Sequence, residues 1–386
     1  MPSSQDGRGR RAYLHIGLPK TGTTFLQAIL WANRDELRRN GVLYPAPYRE
    51  ALFHAAVELR GSYRMWGLEE KRVTGTWQQL SQTMRGFDGS SIFSHEILSG
   101  AKRDQIERVF RDLDGLDVHL VVTVRDLSRQ ISAAWQEGVK NGGTATFGKF
   151  LYRLRSDIEE GKRSSPFWRA QDLPGVLGRW TRHLPPEKVH LVVAPRYGVD
   201  PSLLWRRFAE AVGLDPDVCS IELDRPSNQS LGSAQSALLR DVNAALDGRI
   251  VRPPYTYVVK RYFAQRVLTQ HRSARLTLPD DMVGPVRSIA ETWARQLTSA
   301  GYVVHGDLAD LLPVPTPADA QVPVDVPYED RYAAATAAIA ELLVEICTLR
   351  EARGTTVLRH LTSTPLARRV IDRVRRPGAR SSADGR

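Results

Sequence analysis

Residues Tyr13-Leu14-His15-Ile16-Gly17-Leu18-Pro19-Lys20-Thr21-Gly22-Thr23-Thr24-Phe25-Leu26 join a short apolar run to a glycine-containing turn and then to an amphipathic stretch. The run Tyr13–Gly17 is almost unbroken and reads as a buried strand of a parallel sheet. The stretch over 23–39 reads as a helix and stops at Asn40-Gly41, a C-terminal signal. A strand that turns tightly into a helix aims several backbone N–H groups and the positive helix end at one place. Consecutive amides of this kind form an anion nest. Gly17 and Gly22 remove side chains where backbone must approach a ligand. Lys20 adds a mobile positive charge, and Thr21, Thr23 and Thr24 add hydroxyl donors. The stretch therefore predicts a phosphate-binding loop.

The same alternation continues outward. Apolar runs recur at Ser91–Ser94, Val118–Val124 and Val189–Ala194, with helical stretches at about 102–112, 127–140 and 200–212. Strands alternating with helices predict a three-layer α/β sandwich around a central parallel sheet. Ligands in such sheets bind at the carboxyl ends of the strands. After Leu214 the pattern is mostly helical, at about 232–246, 256–270 and 283–300. Leu311–Val326 holds four prolines and reads as a linker or strap. A helix follows in which Ile339, Leu342, Leu343, Ile346 and Leu349 form one apolar stripe. Docking on the body is the expectation for that stripe, with pairing to a second copy as the alternative.

A second motif lies at Val121-Val122-Thr123-Val124-Arg125-Asp126-Leu127-Ser128-Arg129-Gln130-Ile131-Ser132-Ala133. Arg125 ends a strand on the same sheet edge as the loop, where a guanidinium can grip a phosphate through two parallel hydrogen bonds. Ser132 or Ser128 in the following helix can donate a hydroxyl. The order of the first loop departs from G-x-x-x-x-G-K-[ST], because Lys20 precedes Gly22 and no lysine follows it. PKTGTT after a strand resembles the 5′-phosphosulfate loop of sulfotransferases that use 3′-phosphoadenosine 5′-phosphosulfate (PAPS). The strand ending in Arg125 resembles that family's 3′-phosphate motif. The family's serine usually falls at the position of Ala133 here, so Ser132 stands one residue early.

The resemblance implies a P-loop-like sulfotransferase domain over residues 12–312, flanked by a disordered segment 1–11. Residues 313–386 would hold the strap, the amphipathic helix and a basic disordered tail. Val192–Arg196, Asn228–Gly232 and Gly301–Leu308 also resemble segments of bacterial members. The implied reaction is in-line transfer of a sulfuryl group from PAPS to a hydroxyl of a carbohydrate, lipid or secondary metabolite, with no metal required. Lys20 would stabilise charge on the leaving group. The backbone of Thr21, Gly22, Thr23 and Thr24 would hold the 5′-phosphate, and Arg125 with Ser132 the 3′-phosphate.

An alcohol acceptor benefits from a general base. Glu96 follows the strand Ser91–Ser94 and would face the crevice; His95 and His54 are the other candidates. Trp135 reads as core, and Gln136 and Lys140 read as a solvated helix face, with contact to the acceptor as the alternative. Arg225 and Asn228 are candidates for adenosine contacts.

The chain has 386 residues, two cysteines and a net charge of +11. Two cysteines exclude a disulfide scaffold and a cysteine-rich zinc module. No apolar run reaches the roughly 18 residues of a spanning helix. The arginines at the start have no apolar segment behind them, so no secretory signal is read and a cytoplasmic protein is expected. Much of the basicity sits in residues 350–386, with ten arginines against three acids. The tail lacks interleaved aromatics, which argues against specific nucleic-acid recognition. Two other classes stay open: a P-loop kinase or ATPase, and a non-catalytic nucleotide-binding relic with a basic tail.

Overall fold

The computed structural model describes residues 10–196, 198–200, 202–222, 230–271, 273–314 and 326–363, the last segment with side chains up to residue 348. Residues 1–9 of the N-terminal segment, residues 315–325 of the Pro-rich strap, the basic tail after 363, Arg225 and Asn228 lie outside the described residues, as does the side chain of Leu349. The chain is α/β, with helices flanking a six-stranded sheet of order β2-β3-β1-β4-β5-β6 in which every pair is parallel. The strands are β1 (Arg11–His15), β2 (Val42–Leu43), β3 (Ser90–Ser94), β4 (Asp117–Val124), β5 (Val189–Val193) and β6 (Val303–His305).

The middle strands β3, β1 and β4 are apolar and almost wholly buried, as strands covered on both faces must be. β1 begins at Arg11, earlier than the apolar run implied, because Arg11 pairs with Asp117 and the two side chains form an ion pair at 3.4 Å. Arg11 therefore belongs to the sheet and not to a disordered segment. Beyond His15 the chain still bonds to β4, through Ile16 N to Val121 O at 3.1 Å and Leu18 N to Thr123 O at 2.7 Å, before it turns. β1 connects outward to β2 and β3 on one side, and β4 lies on its other side. Such a switch point opens a crevice at the carboxyl ends of the strands. Three adjacent strand ends thus meet at one edge: the loop after β1, residues 95–96 after β3 and Arg125 after β4.

The stretch 23–39 is two helices, α1 (Thr23–Ala32) and α2 (Arg34–Arg39), instead of one. Asn33 breaks it. Its amide side chain donates to Ile29 O at 2.9 Å and to Ser220 O at 2.8 Å, a tertiary bond that the local pattern does not carry. Helices α3 (Ala51–Arg60) and α4 (Thr76–Arg85) precede β3, and α5 (Arg103–Asp112) leads to β4. After β4 come α6 (Leu127–Lys140), α7 (Phe147–Glu159), α8 (Pro166–Gln171) and α9 (Leu173–Trp180). α10 (Ser202–Ala211) follows β5, then α11 (Ser233–Leu246), a π-helix over Thr256–Val267 and α12 (Asp280–Ser299). α11 and the π-helix pack on α6. The described residues fall into two compact units that divide between Arg331 and Tyr332. The second unit holds most of α13 (Tyr328–Ser363), along which Ile339, Leu343 and Ile346 are exposed. Among the described residues, no helix is long and apolar enough to cross a membrane.

A polar network lies under the loop. His15, fully buried, bonds through Nδ1 to Ser94 Oγ at 2.8 Å and through Nε2 to Thr123 Oγ1 at 3.2 Å. Thr123 Oγ1 also donates to Gly17 O at 3.0 Å, so one imidazole ties β3, β1 and β4 to the loop. Burial lowers the imidazole from 6.5 to about 4. An unfolded chain binds this proton near pH 6.5 and the folded one near 4, so stability is lost as pH falls through that window. The loss is about 3 kcal/mol for this one group. Urea midpoints measured from pH 7.5 down to pH 4 are expected to fall steadily; a flat profile would contradict a neutral buried His15.

Candidate functional site

The loop Ile16–Gly22 places left-handed backbone at three positions, with φ of +110° at Gly17, +70° at Lys20 and +102° at Gly22. Glycine adopts that region freely, whereas Lys20 holds it at a cost of about 1 kcal/mol. Gly17 also permits a close approach, since a Cβ there would lie 3.1 Å from Glu96 Cβ. A Cβ on Gly22 would collide with the Leu204 side chain. α1 begins directly after Gly22 with no side-chain cap and no acidic residue in its first turn. Its positive end is thus left for another partner.

Lys20, Gly22, Thr23, Thr24, Glu96 and Arg125 line one cleft of about 220 Å³. Ligand pockets commonly run about 300–1,000 Å³, so a nucleotide would extend past its rim. The Arg125 guanidinium reaches under the loop and donates from Nη1 to Lys20 O at 2.9 Å. Its Nε is buried and has no partner among the described residues. No carboxylate there forms an ion pair with it either. Burial, with repulsion from Arg129, lowers it to about 9. A buried cation with an unpartnered N–H has the chemistry to receive an anion.

Glu96 stands at the end of β3, and Gln27 Nε2 donates to its Oε2 at 2.9 Å. Burial would raise its carboxyl, but His95, the Gln27 amide, a backbone bond and Lys20 together hold it below the ordinary range. His95 caps the turn after β3 and accepts from Ile97 N at 3.3 Å.

Thr21, Ser128, Ser132, His54 and Trp135 do not line the cleft. Thr21 is buried; its hydroxyl donates to Leu18 O at 2.6 Å and meets Thr123 Oγ1 at 2.5 Å, so it braces the loop from within. Ser132 turns back to Ser128 O at 3.4 Å, and Ser128 caps onto the Asp126 carboxylate at 2.8 Å. Ala133 is the α6 residue that faces the cleft at that level. His54 bonds to Tyr48 OH at 3.0 Å and lies away from the cleft lining. Trp135 packs against Phe147 as core, as expected.

Gln136 and Lys140, expected on a solvated face, are both buried and line the cleft. The reason is tertiary, because α11 and the π-helix cover this end of α6. Gln136 Nε2 donates to Leu231 O at 2.7 Å. Between these two residues Glu137 accepts from Lys20 Nζ at 2.5 Å on one oxygen and from Lys260 Nζ of the π-helix at 2.6 Å on the other. Burial opposes its charge, but the two ammonium groups outweigh it and hold the carboxyl far below the ordinary range. Sequence reasoning missed Glu137, the burial of Lys140, and Lys260. Ala133, Gln136, Glu137 and Lys140 share one helix face, so the placement of Arg125 before α6 was the available signal for the first two. Nothing local marks Lys260.

The cleft thus sets Lys20, Arg125 and Lys140 against Glu96 and Glu137, with Lys260 paired to Glu137 from outside the lining, a net positive hollow at a helix N-terminus beside the sheet's switch point. Comparison with family models, with curated proteins and with solved structures finds no match to the chain.

Proposed function

We propose that the chain is a sulfotransferase that takes its sulfuryl group from PAPS and passes it to a hydroxyl of a carbohydrate, lipid or secondary metabolite. The observation that carries this reading is Arg125 in the same cleft as Lys20 and the open end of α1, with its buried Nε unpartnered. Two phosphate-gripping elements, one on each of two neighbouring strand ends, suit a nucleotide with phosphates at two positions. The parallel sheet and the loop between β1 and α1 suit the P-loop-like fold of that family. The residues fit the donor: the amides at the start of α1 for the 5′-phosphate, Arg125 for the 3′-phosphate, and Lys20 between. Ala133 supplies no hydroxyl, so the 3′-phosphate grip rests on Arg125.

When bound, the donor would supply an activated sulfuryl group. The chain's part is to hold, to neutralise and to accept a proton. Lys20 is the cation placed to meet charge growing on a leaving phosphate. Glu96 is ionised at neutral pH and is our choice for accepting the acceptor's proton. An anion that engages Lys20 removes one of the pulls that hold the Glu96 carboxyl down, which strengthens it as a base in the loaded site.

Glu96→Gln tests this assignment. Transfer from labelled PAPS across a panel of hydroxyl acceptors is expected to fall about 100-fold or more. Nucleotide affinity, measured by calorimetry, is expected to stay within about threefold, because the change leaves α1, Lys20 and Arg125 in place. Equal loss of both would remove Glu96 from the chemistry. Binding of ATP with magnesium in place of the adenosine bisphosphate would move the chain to the kinase reading.

A further inference from the structure

We propose that the far end of the cleft, lined by Lys140, is a second anion subsite that receives a phosphate, sulfate or carboxylate carried by the acceptor. This rests on the donor reading of the near end. Lys140 is 8% exposed and lines the cleft. Among the described residues its ammonium makes no side-chain hydrogen bond and no ion pair. An isolated buried ammonium is costly, and such groups are paired or they neutralise. Burial lowers this one to about 8; Lys20 and Lys260 push it the same way and Glu137 alone opposes.

Glu137 is engaged with other donors and makes no hydrogen bond or ion pair with Lys140 among the described residues. One of its oxygens holds Lys20; the other holds Lys260 and the Asn141 amide at 3.1 Å. The C-terminal end of α6, where Lys140 sits, offers roughly half a negative charge. That is too little for an ammonium which already faces two others.

α6 serves as a ruler for where the anion lies. Ala133 marks the end served by Arg125 and Lys140 the other end; seven residues of helix separate them by about 10 Å. That distance is well beyond the width of one phosphate. Lys140 therefore addresses a different anion from the one Arg125 grips. Lys260, which holds Glu137 from outside the cleft lining, is carried by a π-helix of twelve residues, a rare form that concentrates at functional sites. With the donor at the near end, an acceptor that carries an anionic group is the ligand for the far one.

The test uses the full chain, saturated with adenosine 3′,5′-bisphosphate and then titrated with inorganic phosphate as the probe. Wild type and Lys140→Met are compared, with Lys140→Arg as the charge-retaining control and thermal melts to confirm folding. Wild type is expected to bind one further phosphate. Lys140→Met is expected to weaken that step about tenfold or more, Lys140→Arg to restore most of it, and nucleotide affinity to change little. Should Lys140→Met instead weaken the nucleotide itself, with no further phosphate bound by wild type, Lys140 serves the donor and the proposal is overturned. Phosphate binding that ignores Lys140 overturns it as well. Should the nucleotide fail to bind at all while phosphate binding by the free protein still depends on Lys140, the donor reading fails and the subsite stands.

Discussion

Arg125→Ala is expected to weaken adenosine 3′,5′-bisphosphate binding about 100-fold while leaving the empty protein close to wild-type stability. The two halves of this result have one cause. The guanidinium is buried, has no carboxylate partner among the described residues, and keeps Nε unbonded. In the empty protein its removal forfeits the bond to Lys20 O, worth about 1 kcal/mol, and relieves a desolvated charge that offsets much of that loss. In the complex the same removal leaves a buried phosphate without its fork of donors, which costs about 2–5 kcal/mol. Calorimetric titration and urea unfolding of the same preparation read both halves. An alanine variant that binds normally but unfolds much more readily would make Arg125 a structural residue and remove it from the phosphate site.

Glu137→Gln, by contrast, is expected to destabilise the empty protein. It removes the carboxylate that two ammonium groups share while keeping size and shape. Removing one member of a fully buried pair costs about 3–5 kcal/mol. These side chains retain some exposure, so about 2 kcal/mol is expected in phosphate-free buffer. Added adenosine bisphosphate is expected to restore more stability to the variant than to wild type, because its phosphates replace the missing anion beside Lys20. The sign with pH follows from the lowered carboxyl. The wild-type contribution is complete above the unfolded value of 4.5 and is lost as pH falls below it, so the variant's deficit shrinks in acid. Thermal melts with and without ligand at pH 7.5 and pH 4 read these effects. A variant more stable than wild type at pH 7.5 would contradict the account of the lysine cluster.

The first loop was legible because its determinants are local. A buried strand, two glycines and a helix start lie within Tyr13–Leu26, and the backbone there has few other options. Arg125 was legible for the same reason, as the charged residue that ends an apolar run. β2, with two residues, and β6, with three, are shorter than any periodicity can register. The break at Asn33 depends on Ser220, far along the chain. His54 drew notice as a titratable residue, but its place beside Tyr48 is set by the packing of α3. Ser132 and Thr21 have suitable hydroxyls that point inward to backbone carbonyls. The largest misreading was Lys140. A lysine at the end of an amphipathic helix ordinarily meets water, and here α11 and the π-helix pack on that helix. What the sequence cannot display is which polar helix face a later segment covers, and that covering turns an ordinary lysine into a buried one.

In the reading proposed above, the cleft between α1 and Arg125 holds a nucleotide with phosphates at the 3′ and 5′ positions. Calorimetric titration of wild type with adenosine 3′,5′-bisphosphate in the presence of a chelator tests it most directly. The account predicts one site with a dissociation constant of roughly micromolar order, about −8 kcal/mol, and the same value when magnesium is supplied. Silence toward this ligand, or binding that needs magnesium and accepts ATP equally well, would contradict it.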